Sequence, residues 1–238
     1  MMQQLQFTDL GVLDYKSAWD IQEQLLQKNL QAKSFARAQE DAGVVGVSAD
    51  TIHNLLFVEH PPVYTLGKSG KAENLLISQE ECIARGIEYY PINRGGDITF
   101  HGLEQLVGYP ILDLEKMYTD IGRYLRNIEQ VIILSLADFG IASGRSAGET
   151  GVWIDAGVVG SERKICAIGV RCSRWITMHG FALNVNTDLS YFDNIIPCGI
   201  RDKQVTSMKR ELGRDVPMDE IKTSVLRNFE KVLDLECI

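Results

Sequence analysis

The chain has 238 residues, of which 45% are hydrophobic and 24% are charged, and its net charge is −8. This length and composition are typical of one globular domain with a sizeable core, so neither a disulfide nor a structural metal is needed for stability. The acidic balance argues against general nucleic-acid binding. No apolar run approaches the roughly 20 residues of a membrane helix, and the N-terminus lacks the features of a secretory signal. We therefore expect a single cytoplasmic domain over residues 1–238.

The N-terminal quarter predicts a strand, a helix, a loop and a second strand. Residues 4–12 form the first strand, and an amphipathic helix is predicted over residues 14–33. Its apolar positions fall near helical spacing and are Ala18, Ile21, Leu25, Leu26 and Leu30. Residues 38–50 are predicted to be a surface loop, and residues 53–59 a buried strand that stops at a Pro-Pro pair.

The middle of the chain predicts a short helix between two further strands and the next long helix. Ser78 and Glu81 have the spacing of a capping box, and Gly86 marks the helix end. The strands are predicted over residues 87–93 and 105–114. A long helix is predicted between a cap at Thr119 and a stop at Gly140, and its apolar face consists of Ile121, Leu125, Ile128, Ile132 and Phe139.

The C-terminal part predicts β-structure throughout residues 151–186, with 164–171 and 175–185 as paired strands, and a last helix over residues 218–235. Strands and helices intermix without a regular βαβ rhythm. The expected fold is therefore α+β, with a mixed or antiparallel sheet and flanking helices.

Two glycine-containing segments are candidate parts of a site. Arg94-Gly95-Gly96 follows a predicted strand, and such a pair permits a hairpin turn or a close approach of a ligand to the backbone. It has neither the dinucleotide fingerprint nor the Walker pattern. His101 and His179 each precede a glycine, where a histidine can orient a substrate or simply cap a loop. The two His-Gly pairs could border one pocket.

Five cysteines show no metal-ligand spacing, and an odd number favours a reducing compartment. Cys198 stands between Pro197 and Gly199, on a rigid corner that would present its thiol. Considered alone, it is as compatible with a small buried apolar residue, and Lys164 with a solvated residue at a strand edge. Taken together they suggest acyl transfer, because a thiolate that attacks a thioester needs a nearby cation or base.

These segments together resemble the octanoyltransferases, also called lipoate–protein ligase B. The resemblance rests on ordered motifs between about residues 55 and 210, which are Pro61-Pro-Val-Tyr-Thr-Leu-Gly67, Arg94-Gly-Gly-Asp-Ile-Thr-Phe-His101, Gly151-Val-Trp-Ile, Lys164-Ile-Cys-Ala-Ile-Gly169, His179-Gly-Phe-Ala-Leu-Asn184, Ile196-Pro-Cys-Gly199 and Val205-Thr-Ser207. It departs from the family at Leu103-Glu104, where Pro-Gly is usual, and in a long loop over residues 155–163.

The resemblance implies the fold of biotin- and lipoate-protein ligase catalytic domains. It also implies transfer of an octanoyl group from octanoyl-acyl carrier protein to a lysine of lipoyl domains, in 2-oxoacid dehydrogenase E2 subunits and the glycine-cleavage H protein. Cys198 would form the acyl-enzyme, with Lys164 managing protons, and no nucleotide or metal would be needed. The residues implied to bind substrate are Arg94, Gly95, Gly96, Asp97, Thr99, His101, Ala167, Ile168, Gly169, His179, Gly180 and Phe181.

Three further expectations follow from the resemblance. Backbone N–H groups of the segments at 167–169 and 179–181 would hold the oxyanion. Acidic carrier proteins would dock at basic side chains, with a monomeric enzyme as the expected state, and the candidate positions are Lys68, Lys71, Arg171, Arg174, Arg201, Lys203, Lys209 and Arg210. The competing hypotheses are an ATP-dependent lipoate or biotin ligase on the same fold and a non-catalytic carrier-binding protein.

Overall fold

The computed structural model of the protein describes residues 3–196 and 204–238. The strands in chain order are β1 (Gln3–Val12), β2 (His53–Glu59), β3 (Val63–Leu66), β4 (Glu88–Pro91), β5 (Ile98–His101), β6 (Gln105–Ile111), β7 (Val152–Ile154), β8 (Arg163–Ser173), β9 (Ile176–Asn184), β10 (Gln204–Val205) and β11 (Leu235–Cys237). The helices are α1 (Tyr15–Asp41), α2 (Gln79–Ala84), α3 (Ile121–Asp138), α4 (Met208–Leu212) and α5 (Met218–Leu233).

Within the described ranges, the main sheet has eight strands in the order β10-β8-β9-β6-β2-β1-β11, and β7 pairs with β8. The central strands β8, β9, β6 and β2 are antiparallel, whereas β1 runs parallel to β2 and β11, and β10 runs parallel to β8. The predicted α+β class with a mixed sheet is confirmed.

A second sheet has the order β4-β3-β5, and the sequence patterns did not predict its strands β3 and β5. The Arg94-Gly95-Gly96 segment connects β4 to β5, which lie on opposite sides of β3. It is therefore a crossing connection and not a hairpin turn. Its glycines let it lie across another strand, as described below for the site.

Apolar cores cover both faces of the main sheet. On one face α3 and α5 pack together with residues of β2, β8 and β9, and on the other face α1 packs against β6 and β9. The small sheet has a core of its own with α2 and the turn of 3-10 helix at Leu189–Asn194. The two sheets thus have separate cores. The cavity described below lies in the space between them.

Helix α1 departs most from its prediction. It continues to Asp41, beyond the predicted end at residue 33, because no Gly or Pro interrupts the chain before Gly43. Its buried positions keep helical spacing but include polar side chains, and they are Tyr15, Ala18, Gln22, Leu26, Asn29, Lys33 and Ala36. The residues predicted to face the core at 21, 25 and 30 are only half-buried.

The other boundaries were predicted with smaller errors. The capping box of Ser78 and Glu81 is confirmed, and so are the strand over 53–59 and the pairing of β8 with β9. Asp120, not Thr119, caps α3, since its side chain accepts the N–H of Arg123. The β-structure predicted throughout 151–186 is interrupted by turns at residues 155–162.

Two shorter elements near the C-terminus also differ from the prediction. The last helix ends at Leu233, and the residues that follow it form β11 beside β1. The sequence patterns missed α4 as well. Within the described residues, none of the helices has the length and apolar character needed to cross a bilayer.

Candidate active site

A cavity of about 560 Å³ lies between the main sheet and the small sheet. This volume is within the range of roughly 300–1,000 Å³ found for small-molecule sites. Strand β8 lines it from Lys164 to Gly169, a distance of roughly 16 Å at about 3.3 Å per residue. We call the part around Lys164, Glu149 and Thr150 the lysine end. The part around Tyr15, His101 and Tyr109 is the aromatic end.

Glycines bring the Arg94-Gly95-Gly96 segment against β8. The N–H of Gly95 donates to the carbonyl of Val170 at 2.9 Å. A Cβ atom placed on Gly169 would lie 2.9 Å from the carbonyl oxygen of Gly95 and 3.1 Å from Cδ of Arg94. A side chain at position 169 would therefore push this segment away and widen the cavity. Gly95 itself is not part of the cavity lining, although the sequence analysis expected it to bind substrate.

A second close approach joins the segment to the small sheet. Gly67 would place a Cβ atom 2.3 Å from the carbonyl oxygen of Gly96, so no larger residue can occupy that position without a shift. Backbone N–H groups of residues 67–69 donate to carbonyls of residues 94–97, and Arg94 donates through Nη2 to both the carbonyl and the hydroxyl of Thr65. The buried guanidinium is thus part of the cavity wall.

His101 is the last residue of β5, not a loop residue, and it is held as a neutral imidazole. Its Nδ1 donates to Oε1 of Gln105 at 2.9 Å, and its Nε2 faces the Thr65 hydroxyl at 3.5 Å. Burial lowers the pKa of His101 to about 3, and the nearby charge of Arg94 acts in the same direction. Near neutral pH His101 therefore lines the site without carrying a charge.

The hydrogen-bond chain continues toward the lysine end. Gln105 donates through Nε2 to Oδ1 of Asn184 at 2.8 Å, and Asn184 donates to the carbonyl of Thr206 at 2.9 Å. The N–H of Thr206 in turn donates to the carbonyl of Lys164 at 2.9 Å. These buried polar side chains satisfy one another, which leaves an apolar surface for a ligand between the two ends.

The aromatic end is closed by rings. Tyr15 stacks on His101 with ring centroids 6.0 Å apart and an interplanar angle of 10°. His60 lies behind them, where its Nδ1 donates to the carbonyl of Leu13 and its Nε2 accepts the hydroxyl of Tyr109 at 2.8 Å. Burial lowers the pKa of His60 to about 4 and raises the pKa of Tyr109 well above its ordinary value. The rings at this end are therefore uncharged near neutral pH, and the charged group beside them is the guanidinium of Arg94, which donates to the same Thr65 hydroxyl that His101 faces.

His179 lies in the middle of β9 with a φ of 59°, a left-handed conformation that is uncommon outside glycine. Its Nε2 donates to Oδ1 of Asn93 at 3.3 Å, and burial lowers its pKa to about 3. Its backbone N–H donates to Oε1 of Gln22 at 3.0 Å. Because that N–H is already used within the protein, His179 does not supply the oxyanion contact expected from its segment.

Lys164 is enclosed by neighbouring strands rather than lying at a sheet edge. It pairs with Trp153 of β7 on one side and with Val205 of β10 on the other. Its Nζ lies 4.6 Å from the centroid of the Trp153 ring, within the range of a cation–π contact. Its side chain lines the cavity beside Glu149 and Thr150.

The described segments on both sides of residues 197–203 are anchored at the cavity. The N–H of Ile196 donates to the carbonyl of Asn74 at 2.8 Å, and the Asn74 side chain donates to Asp97 at 2.7 Å. On the other flank Val205 lines the cavity and pairs with Lys164. Cys198, the predicted nucleophile, lies outside the described residues.

Most of the predicted substrate-binding residues come together here. The lining includes Arg94, Gly96, Asp97, Thr99, His101, Lys164, Ala167, Ile168, Gly169, His179, Gly180 and Phe181. The sequence analysis missed lining residues of two kinds. Gln105, Tyr109 and Asn184 stand inside or next to the quoted motifs, which could have indicated them. Tyr15 and residues 148–150 have no local signal, because only tertiary packing brings them to the cavity.

The remaining cysteines that the structure describes have no site-like surroundings. Cys82 and Cys166 are buried, and burial raises the pKa of both thiols. Burial also raises the pKa of Cys172 and Cys237, which are half-buried. A thiol with a raised pKa is a poor nucleophile, so the structural interpretation of these cysteines holds.

Comparisons with known proteins agree with this architecture. Residues 14–230 match the model of the lipoyl protein ligase A/B catalytic domain family. The octanoyltransferase of Flavobacterium johnsoniae is 54% identical over 239 residues, covering 100% of both chains. The octanoyltransferase of Christiangramia forsetii is 52% identical, covering 99% of this chain and 98% of its own.

A solved structure supports the fold in the same way. The bipartite lipoate protein ligase of Thermoplasma acidophilum superposes with a TM-score of 0.67 at 18% identity, covering 100% of this chain and 86% of that chain. The predicted fold of lipoate- and biotin-protein ligase catalytic domains is confirmed. By family model and full-length identity, the chain belongs to the lipoyl protein ligase A/B catalytic domain family and, within it, to the octanoyltransferases, acyltransferases of protein lipoylation.

Proposed function

We propose that the protein, as one catalytic domain, transfers an octanoyl group from octanoyl-acyl carrier protein to a specific lysine of lipoyl domains through a thioester on Cys198. The acceptors are lipoyl domains of 2-oxoacid dehydrogenase E2 subunits and the glycine-cleavage H protein, and the transfer is the first step of endogenous lipoylation. The observation that carries the proposal is a cavity with an end of uncharged rings, with Lys164 at its other end and both flanks of residues 197–203 anchored beside it.

The length of the cavity suits an eight-carbon chain. Seven carbon–carbon bonds of about 1.5 Å span roughly 9 Å in the extended form. The backbone of β8 covers roughly 16 Å between Lys164 and Gly169, and the lysine side chain occupies part of that distance. Burial of the chain contributes up to about 0.8 kcal/mol per methylene. The octanoyl tail would lie toward the aromatic end, with its carbonyl near Lys164.

In the first half of the reaction, the Cys198 thiolate attacks the carbonyl carbon of the carrier thioester. A tetrahedral intermediate forms, and its collapse breaks the bond to the carrier sulfur, which leaves as a thiol after taking up a proton from Lys164. The octanoyl group is then held on Cys198. Backbone N–H groups of residues 167–169 are the proposed donors to the oxyanion.

In the second half, the ε-amino group of the acceptor lysine attacks the octanoyl-enzyme thioester. The new amide bond forms as the bond to the Cys198 sulfur breaks, and Lys164 takes up the proton that the amine loses. The free enzyme is regenerated with Cys198 as the thiolate and Lys164 protonated, as at the start of the first half. A thioester donor is already activated, so this cycle needs no adenylate.

Docking of acidic carriers is proposed for exposed basic side chains that have no acidic partner among the residues that the structure describes. Several predicted cations already have partners within the protein: Lys71 with Glu73, Arg171 with Glu23, Arg174 with Ser34 and Lys209 with Asp215. Lys68 and Arg210 are exposed, and their side chains form no ion pair with the described part of the chain. These two are therefore the best candidates, while Arg201 and Lys203 lie outside the described residues.

Intact-mass analysis after mixing the protein with octanoyl-acyl carrier protein, without ATP, tests the proposal. We expect one octanoyl adduct that hydroxylamine removes. It should be absent in Cys198→Ser and retained in the matched control Cys172→Ser, whose thiol is half-buried on β8. Transfer to a lipoyl domain without any adduct would contradict the acyl-enzyme. Transfer that requires ATP would favour the competing ligase hypothesis.

A further inference from the structure

Glu129 is a fully buried carboxylate on α3, with a side-chain exposure of 0%. Its neighbours on the buried face of the helix are mainly apolar, including Ile128, Val131 and Ile132. Placing a carboxylate in such surroundings costs free energy unless partners offset the loss of water. The burial of Glu129 therefore implies partners that offset this cost.

Both oxygens of Glu129 are occupied. Oε2 accepts from Nη1 of Arg126 and from Nε of Arg145, each at 2.8 Å, and Oε1 accepts the backbone N–H of Gly151 at 3.1 Å. Nη2 of Arg145 also donates to the carbonyl of Arg126 and to Oε1 of Gln130. A carboxylate suits this position because it only accepts, whereas an amide would direct an N–H₂ group at one of the donors.

The same carboxylate thus holds both ends of segment 145–151 to α3. Arg145 is the first residue of that segment and Gly151 is the last. Between them lie Gly148, Glu149 and Thr150, which form the cavity wall at the lysine end. Of the contacts described, Glu129 is the side chain that holds Arg145 and Gly151 to α3 together, and the remaining bonds to Arg126 and Gln130 hold Arg145 alone.

Gly151 joins segment 145–151 to Lys164 by a close contact. Its φ is 120°, and a Cβ atom there would lie 2.6 Å from the carbonyl oxygen of Cys166 and 3.5 Å from Cε of Lys164. The glycine backbone therefore lies directly against the lysine side chain. On its other side, Nζ of Lys164 lies over the Trp153 ring.

We propose that Glu129 is a positioning residue for acyl transfer: it clips both ends of segment 145–151 to α3 and so fixes the wall that sets the direction of the Lys164 side chain. The inference rests on the proposed role of Lys164. It assigns control over the geometry of proton transfer to a buried helix residue that is absent from the described cavity lining.

The same helix provides a matched control. Asp138 accepts from Arg227 and from the side chains of Ser224 and Asn228, which joins α3 to α5. It is likewise a carboxylate held by an arginine and further donors, but its contacts do not lead to the cavity. Asp138→Asn should therefore lower thermal stability without changing catalysis.

The test compares Glu129→Gln, Arg145→Gln, Asp138→Asn and Lys164→Ala with the unaltered protein, at a temperature at which each remains folded. The substrate is a small octanoyl thioester, so carrier docking does not enter. We expect kcat to fall about 10- to 100-fold in Glu129→Gln, because a displacement of about 1 Å has an effect of that size, with KM changed much less. Arg145→Gln, whose side chain is 35% exposed and so tolerates change, should fall less but in the same direction.

Hydrogen exchange gives a second readout of the clip. Amides of residues 145–151 should exchange faster in Glu129→Gln and Arg145→Gln, and should be unchanged in Asp138→Asn. Full kcat in both clip variants, alongside loss in Lys164→Ala, would overturn the clip and leave the proposed function standing. Full kcat in Lys164→Ala would overturn the role of Lys164 and the clip together.

Discussion

The two ends of the cavity are built on opposite principles. At the aromatic end, Tyr15, His101 and Tyr109 are buried, and the hydrogen-bonding groups of His101 and Tyr109 are paired within the protein. At the lysine end, Lys164, Glu149 and Thr150 are only partly buried. One end therefore offers a fixed shape of uncharged rings, with the Arg94 guanidinium beside them held by internal hydrogen bonds, and the other end is more open to solvent.

The difference follows from what each end would handle in the proposed reaction. A hydrocarbon tail is recognised by shape and by exclusion of water, so a charge near it costs least when it is already paired, as the Arg94 guanidinium is with oxygens of Gly95 and Thr65. A thioester exchange needs a group that gains and loses a proton, and such a group must remain close to solvent and to the partner proteins. Gly169 on β8 and Gly180 on β9 let neighbouring segments approach these strands closely, so one narrow cavity contains both ends.

Removing the charged group of the lysine end should have the largest effect. Lys164→Ala should reduce octanoyl transfer by about 10²–10⁴-fold, the usual range for a positioned acid–base group. Binding of the neutral analogue octanamide should change little, since the aromatic end is intact. Single-turnover acylation by octanoyl-acyl carrier protein measures the first, and calorimetry with octanamide the second. A parallel loss of both would mean that the two ends are not independent.

Acid should lower the free energy of unfolding through the buried histidines. The pKa values of His53 and His60 are lowered to about 4, and those of His101 and His179 to about 3, in each case mainly by burial. The unfolded chain binds these protons near pH 6.5, before the folded protein does. The free energy of unfolding should therefore be highest above pH 6.5 and fall as the pH decreases from 6.5 toward 4. Each histidine that is protonated only in the unfolded chain should lower it by about 1.4 kcal/mol for every pH unit.

His53 allows this prediction to be tested away from the cavity. Its Nδ1 accepts the N–H of Asp113, so protonation removes a buried acceptor. In His53→Asn an amide oxygen can replace Nδ1, and urea denaturation between pH 7 and pH 5 should show a smaller loss of stability than in the unaltered protein. Transfer activity at pH 7 should be the same. An unchanged pH dependence would mean that His53 does not titrate in this range.

The sequence predicted part of each end of the cavity and missed part of each, for a physical reason. Lys164 and the Arg94-Gly95-Gly96 segment are marked by residue types that chemistry requires, and they can be found locally. Tyr15 carries no such mark, because it reaches the cavity only when the start of α1 packs beside β5. On α1, the buried positions Gln22 and Lys33 are polar, so the apolar pattern does not reveal this face of the helix. Their partners are up to 157 residues away in the sequence and come close only in the folded protein.

The fold shows the same division between local and tertiary information. The capping box at Ser78 and the paired strands β8 and β9 follow from local patterns, and they were predicted correctly. The small sheet was missed because β3 and β5 have four residues each, too few for a periodic pattern to emerge. Glu104, where the family usually has glycine, keeps a left-handed φ of 58°, so the departure changes the residue but not the backbone conformation that glycine favours.

Widening the aromatic end should have an intermediate effect. In Gly169→Ala the new Cβ atom would approach the carbonyl oxygen of Gly95 at 2.9 Å, so the segment should move off β8 and lose its hydrogen bond to Val170. We expect KM for a small octanoyl thioester to rise about tenfold, since the lost packing and hydrogen bond are worth roughly 1.4 kcal/mol together. The value of kcat should change less.

Gly122→Ala is the control for that substitution. Gly122 lies exposed in the first turn of α3, has no positive φ, and would place its Cβ atom 3.2 Å from only the Asp120 side chain. Alanine is favoured over glycine in a helix, so this variant should be as stable or more stable, with unchanged kinetics. Equal KM values in both variants would show that β8 tolerates a side chain at 169.

Reversing the exposed charges of Lys68 and Arg210 should have the smallest effect. It should change the kinetics with the protein substrate alone. Lys68→Glu with Arg210→Glu should raise KM for octanoyl-acyl carrier protein by about three- to tenfold at low salt, because exposed charges act mainly by steering association. The effect should shrink as salt is added, and hydrolysis of a small octanoyl thioester should not change. Lys28→Glu with Lys231→Glu, at exposed positions of α1 and α5 outside the described cavity lining, changes the net charge by the same amount and controls for it. Equal losses with the carrier and the small thioester would place these residues in the chemistry instead of in docking.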